Sequence, residues 1–318
     1  MIRYPGKMLI ILSCVVFLLQ SVQAFDSGYI PHRVYYSEDK KFSDFETMMT
    51  SLSTTDVIFV GEQHDDASTH RFELTVLESL ARRDRPVIVA MEMFERDTQK
   101  YLDDYLKGKI SEEEFLKNSR PWGNYATDYR PLIEFAKAKG WRVIASNVPR
   151  KYAQQVARGG LAVLSKLPDK ERTLIARDIS APNDDYFKNF VETMKSHPGA
   201  EENKKDKKEM SEEDRAMIQR IYEAQCVKDD TMAESIANAF GNTEEAKPVV
   251  VHFNGAFHSD YRFGTAMRTI KRLPKARVRV ISVVPIEELE GIKGDEYRKR
   301  GDFILFAYRP AKPKTEKK

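Results

Sequence analysis

The chain has 318 residues, a formal net charge of +3, 41% hydrophobic and 32% charged residues. That is too apolar for a chain that stays unfolded, and long enough to bury a sizeable core. The near balance of charge excludes a general nucleic-acid binder, which needs a basic excess.

Arg3 and Lys7 form a basic start, and Met8–Leu19 is a nearly unbroken apolar run of 12 residues. A membrane span needs about 20. With the small residue Ala24 closing Val22-Gln23-Ala24, the three-part pattern predicts a secretory signal peptide over 1–24. Cys14 raises a lipoprotein reading, but Leu12 fits such a site poorly and the apolar run continues past the cysteine. The expectation is a periplasmic or secreted protein with no lipid anchor and no stable membrane span after cleavage. Cleavage leaves Cys226 as the single thiol, so no internal disulfide forms. Val227 beside it in a helical context makes it a small buried hydrophobe. The absence of Cys-x-x-Cys excludes thiolate zinc sites.

The remainder reads as one α/β domain over 25–310 with a basic tail at 311–318. Short apolar runs at Val57–Val60, Val87–Met91, Val143–Ala145, Val249–Val251, Val278–Val284 and Phe303–Tyr308 predict strands. The first four do not alternate strictly, as expected for parallel strands buried on both faces. Between them, Phe72, Val76, Leu77 and Leu80 share a helical face, and Leu132–Ala136 leads to a helix stop at Gly140. This order predicts a mostly parallel central sheet flanked by helices. About 150–240 holds no strand pattern and predicts a helical insertion before the strand at 249–253. Ser211 and Asp214 open a helix there as a capping box, with Met217, Ile221, Ala224 and Ile236 in one long helix or two.

Polar residues follow each central strand. They are Gly61, Glu62 and His64 after the first, Glu92 in the second, Asn147 and Arg150 after the third, and Gly255 and His258 after the fourth. Parallel strands would bring all of them to one carboxyl edge, where open α/β sheets bind ligands. Two chemistries stay open. Glu62, His64, Glu92 and His258 could hold a divalent cation with a position left for water. Alternatively, a histidine could take a proton from water while a carboxylate orients it. Gly61 and Gly255 would let the backbone approach a ligand, and Arg150 would clamp an anion. His70, one and a half helical turns past His64, supports the site from behind. His252 lies inside an apolar strand as a core histidine. His32 and His197 sit in polar, loop-like stretches with nothing to recruit them. Serine-hydrolase, P-loop, dinucleotide and zincin motifs are absent. Two aromatic groups, Trp122, Tyr125 and Tyr129, then Tyr186, Phe187, Phe190 and Met194, suit a core. They also suit a flat apolar cofactor with an axial ligand.

Five segments in order, VGEQHDDASTH (60–70), AMEMF (90–94), WGNYATDYRPLIEFAKAKGWRVIASNVPR (122–150), AQCVKDDTMA (224–233) and NGAFHSDYRFG (254–264), resemble the ChaN-like haem-binding family. That family lies within the wider group of Tiki and TraB proteins and erythromycin esterases. The resemblance implies a cell-envelope α/β protein linked to iron acquisition, binding haem between two subunits as a homodimer. It also implies use of Glu62, His64, Glu92 and His258 in the enzymatic relatives, and a tyrosine haem ligand whose position no motif fixes.

Overall fold

The structure, a computed structural model, describes residues 31–83, 85–196, 211–241 and 247–310. The expected signal peptide, Cys14, His197 and the expected basic tail lie outside the described residues.

The eight strands are β1 (His32–Tyr36), β2 (Lys41–Ser43), β3 (Val57–Glu62), β4 (Val87–Glu95), β5 (Arg142–Asn147), β6 (Val249–Gly255), β7 (Val278–Ile286) and β8 (Phe303–Tyr308). They form one sheet in the order β2-β1-β8-β7-β3-β6-β4-β5. The six strands from β8 to β5 run parallel, while β1 and β2 add an antiparallel edge. Every residue of β3 and β6 is buried, because alternate side chains enter different apolar layers. Ile58, Val60, Val89, Met91, Val251 and Phe253 enter one; Val57, Phe59, Ile88, Ala90 and Val250 enter the other. This two-sided burial turns the usual alternation into a continuous apolar run.

The first layer is covered by α1 (Phe45–Leu52), α2 (Ala67–Ala81), α3 (Gln99–Leu106), α4 (Glu112–Ser119) and α5 (Arg130–Ala138). Asp66 caps α2, its carboxylate accepting from the Ser68 N–H at 3.0 Å. Gly140, with φ of 66°, ends the α5 segment in the left-handed conformation that favours glycine.

The segment after β5 carries α6 (Arg150–Gly159), the short α7 (Asp169–Arg172), α8 (Asp185–Ser196) and α9 (Glu212–Gly241), and α10 (Gly264–Arg272) follows β6. Ser211 caps α9: its hydroxyl accepts from the Asp214 N–H at 3.1 Å and donates to the Asp214 carboxylate at 2.7 Å. α9 is a single 30-residue helix, about 45 Å long. Ile236 and Ala239 pack on the sheet with Ala266 of α10, Ala224 and Val227 meet α6, and Tyr222 and Cys226 meet α8.

The β1–β2 edge departs from the sequence reading. His32 is in β1, with its ring 6.2 Å from both Phe45 and Phe72, so the polar-loop expectation is corrected. Cys226 is fully buried, and burial pushes its thiol up to about 12.

Candidate functional site

The strand order reverses around β3. The chain leaves β3 for β4 and β5, returns to insert β6 beside β3, then crosses to β7 and β8. Such a switch point opens a crevice at the carboxyl ends of the strands. Glu62 lies level with Gly255 across the β3–β6 pair. In β4, the residue before Glu92, Met91, pairs with Phe253, so Glu92 reaches the same edge.

Glu62 is 1% exposed, and its two oxygens face different partners. Oε1 accepts from the Tyr129 hydroxyl at 2.8 Å and pairs with His64 Nδ1. Oε2 lies 3.5 Å from His70 Nδ1. His70 also lies 3.1 Å from Glu73 Oε2, one helical turn along α2. Its other nitrogen faces the His64 carbonyl at 3.3 Å and Asp128 at 3.5 Å. Tyr125–Tyr129 forms a π-helical turn, a local widening that recurs at functional sites. It delivers Asp128 and Tyr129 to this cluster. Burial and the neighbouring Glu62 charge push the Glu73 carboxyl well up. Burial opposes the Glu62 charge, but bonds from His64 and Glu73 outweigh it and hold Glu62 below its ordinary value.

The His64 side chain is 44% exposed. Its ring meets Trp122 edge-on at 4.8 Å. Burial opposes its charge, but Glu62 and Glu92 raise its pKa above the ordinary value. The ring lies against Gly255, where an added Cβ would stand 2.5 Å from Nε2. Gly255 therefore admits the His64 ring. Gly61 lets the turn after β6 approach, with Ala256 Cα 3.1 Å from where a Cβ would be.

A second array centres on His258, which is 5% exposed. Nδ1 bonds Asp229 at 2.7 Å, and Nε2 lies 3.4 Å from Glu92. Asp229, from the middle of α9, also accepts from the Tyr186 hydroxyl at 2.7 Å and the Thr265 hydroxyl at 2.8 Å. Glu92 accepts from the Gly255 N–H at 2.9 Å. Burial works against the His258 charge, but Glu92 and Asp229 overcome it and raise the pKa to about 9. His258 is thus an imidazolium at neutral pH, held between two carboxylates, and a poor proton acceptor there.

Of the four expected metal ligands, His64 pairs with Glu62, and His258 lies 3.4 Å from Glu92. Among the described residues, the group of three donors close enough to share an ion is Glu62, His70 and Glu73. Both nitrogens of His258 already face carboxylates. Asn147 braces strands: its amide donates to the Glu92 carbonyl at 3.0 Å and its oxygen accepts from the Val148 N–H at 2.8 Å. Arg150 is exposed at the start of α6, lining a separate groove with Arg120, Glu95 and Asp97. His252 is a buried core histidine, between Ser146 at 3.1 Å and Asn254 at 3.0 Å, and burial lowers it to about 4. Tyr186 and Phe190 pack in a core with Tyr222, and Tyr186 also reaches the site through Asp229.

Glu73 and Asp229 were missing from the sequence reading. Each carried a signal, an acidic residue on the buried stripe of its helix. Glu73 lies on the line of His70, Leu77 and Leu80, and Asp229 on the line of Cys226, Ala233 and Ile236.

Fold and site define an α/β protein with a histidine–carboxylate cluster at the switch point of a largely parallel sheet. The family model for haem-binding uptake proteins of the Tiki superfamily, ChaN, matches residues 48–269. The chain belongs to that family. Its fold is similar to that of the ChaN of Campylobacter jejuni, in a structure of cofacial haem binding, with 17% identity and a TM-score of 0.61 over 87% of this chain and 96% of that one. An erythromycin esterase mutant in its open conformation matches at 12% identity and a TM-score of 0.45, over 88% of this chain and 83% of that one. No curated protein matches the sequence. Among the described residues, no helix is long and apolar enough to cross a membrane.

Proposed function

We propose that this protein binds haem in the cell envelope and serves iron acquisition, with two copies enclosing the cofactor. The observation that carries this reading is the family match across residues 48–269.

A haem needs an open aromatic or apolar face, an iron donor reachable from outside, and cations for its propionates. Among the described residues, Tyr261 and Tyr308 are the exposed tyrosines. Both follow or end parallel strands and so lie at the same carboxyl edge. Tyr261 fits better. Its ring sits 5.7 Å from Phe263, and Arg262 beside it is exposed. Tyr261 and Arg262 also have φ of 60° and 56°. Consecutive non-glycine residues in this costly conformation cluster at ligand sites. The Tyr261 N–H donates to the Arg300 carbonyl at 2.7 Å, which fixes the turn. In this reading Tyr261 is the axial ligand, and a phenolate there would favour ferric iron. The signal-peptide pattern expected over 1–24 supports the envelope location.

The test is a hemin titration of the purified chain and its Tyr261→Phe and Tyr308→Phe variants. A saturable Soret change in wild type, shifted or lost in Tyr261→Phe and unaltered in Tyr308→Phe, supports the assignment. Equal loss in both variants removes Tyr261 as the specific ligand.

A second reading, a hydrolase, draws on the paired histidines and carboxylates. With His258 held charged, His64 on Glu62 is the candidate base and His258 an electrostatic anchor for developing negative charge. An ester and peptide screen in which His64→Ala and His258→Ala leave every detected turnover unchanged would end this reading.

A further inference from the structure

We propose that Glu62, His70 and Glu73 form a binding site for one divalent transition-metal ion, buried behind the open histidine edge.

Three independent features meet there. The donor atoms of the three side chains lie within 4.8 Å of one another. His70 Nδ1 is 3.1 Å from Glu73 and 3.5 Å from Glu62. Ligands about 2.0–2.2 Å from one zinc ion would be separated by distances of this order. Next, Glu62 Oε2 and Glu73 Oε1 are buried with no donor from any other residue, only a proton shared between the two carboxyls. A buried carboxylate oxygen left unpaired is costly, and this pair is 1% and 0% exposed. Finally, the ring of His70 is oriented from behind. Nε2 faces the His64 carbonyl at 3.3 Å, so a proton there donates to the carbonyl and leaves the Nδ1 lone pair aimed at the two carboxylates. Ligating histidines characteristically hold their second nitrogen in this way.

The charges also close. A dication, two carboxylates and a neutral imidazole sum to zero, which suits a site removed from water. Glu62 keeps Oε1 for Tyr129 and His64 while offering Oε2. An ion here would therefore fix the carboxylate that orients His64 without displacing it. Nitrogen and oxygen donors suit zinc, manganese or iron, and the lack of sulfur disfavours copper(I). This inference does not depend on haem binding, and its outcome is read separately from the Soret band.

The experiment is equilibrium dialysis of the metal-stripped, untagged chain against zinc, read by elemental analysis, with cobalt absorption as the second readout. Wild type is expected to take up one zinc per chain. Glu73→Gln keeps a neutral donor toward Glu62 and so preserves the fold, which circular dichroism checks. It should weaken zinc binding by at least about 10-fold and remove the cobalt bands. His70→Gln should do the same. His258→Gln should retain the zinc. Wild type that takes up no zinc, as expected if a shared proton alone joins the two glutamates, overturns the proposal. Zinc retained by Glu73→Gln, or lost only in His258→Gln, overturns it as well.

Discussion

At the residue scale, the site is governed by acids that the surrounding fold keeps dry. His258 shows how this links to pH. Its ordinary pKa of 6.5 rises to about 9, so folding favours the protonated form. The resulting stabilisation is fully present below about pH 6.5 and is lost as pH climbs through about 9. Its upper bound is roughly 3.5 kcal/mol, from about 1.4 kcal/mol per pH unit. The melting temperature of wild type should fall across this window, and the fall should be smaller in His258→Gln. Equal pH dependence in both would place the titration elsewhere. Asp229 gathers several partners: His258, Tyr186 and Thr265, with Arg268 at 4.0 Å. Asp229→Ala leaves the buried His258 cation with Glu92 alone at 3.4 Å, so urea unfolding should show a loss of about 3–5 kcal/mol. A loss under 1 kcal/mol would mean that water or Glu92 compensates. The sequence displayed Glu62, His64, Glu92 and His258 because each follows an apolar run. Asp229 and Glu73 were hidden because helix burial is set by tertiary packing, and a lone acid within an apolar stripe is easily read as a solvated residue.

At the element scale, the six parallel strands were legible because two-sided burial demands unbroken apolar runs. The β1–β2 edge was not. His32, Arg33 and Tyr36 of β1 and the three residues of β2 are only partly buried or exposed, so no apolar run marks them. Pairing with β8 makes them strands. Sheet order was likewise illegible, since it depends on which crossover each helix takes. The Gly255 turn gives an element-level test. A Cβ at Gly255 would collide with the His64 ring, whereas at Gly123 it would meet nothing within 4 Å. Gly255→Ala should therefore cost about 1–3 kcal/mol and move the His64 ring resonances in NMR spectra. Gly123→Ala should change stability by less than about 0.5 kcal/mol. Similar effects of the two substitutions would contradict the close contact. At the start of α9, Ser211→Ala removes the hydroxyl that accepts from Asp214 N–H, with an expected cost of about 1 kcal/mol in thermal unfolding.

At the scale of the whole molecule, the sheet works as a platform. One helical layer, α1 to α5, brings His70, Glu73 and Tyr129 to Glu62. The other, built on α9 and α10, brings Asp229 to His258. The two layers thus converge on the same strand ends from opposite faces, leaving His64 as the accessible imidazole and Tyr261 on the outer turn. One scaffold of this kind can host binding or catalysis, so the ligand decides the function. The most direct measurement is hemin titration of the purified chain, followed by absorption and sedimentation. A haem-binding chain should give a Soret change that saturates at a fixed haem-to-chain ratio, with the loaded protein sedimenting as a dimer. No Soret change at micromolar hemin would contradict it.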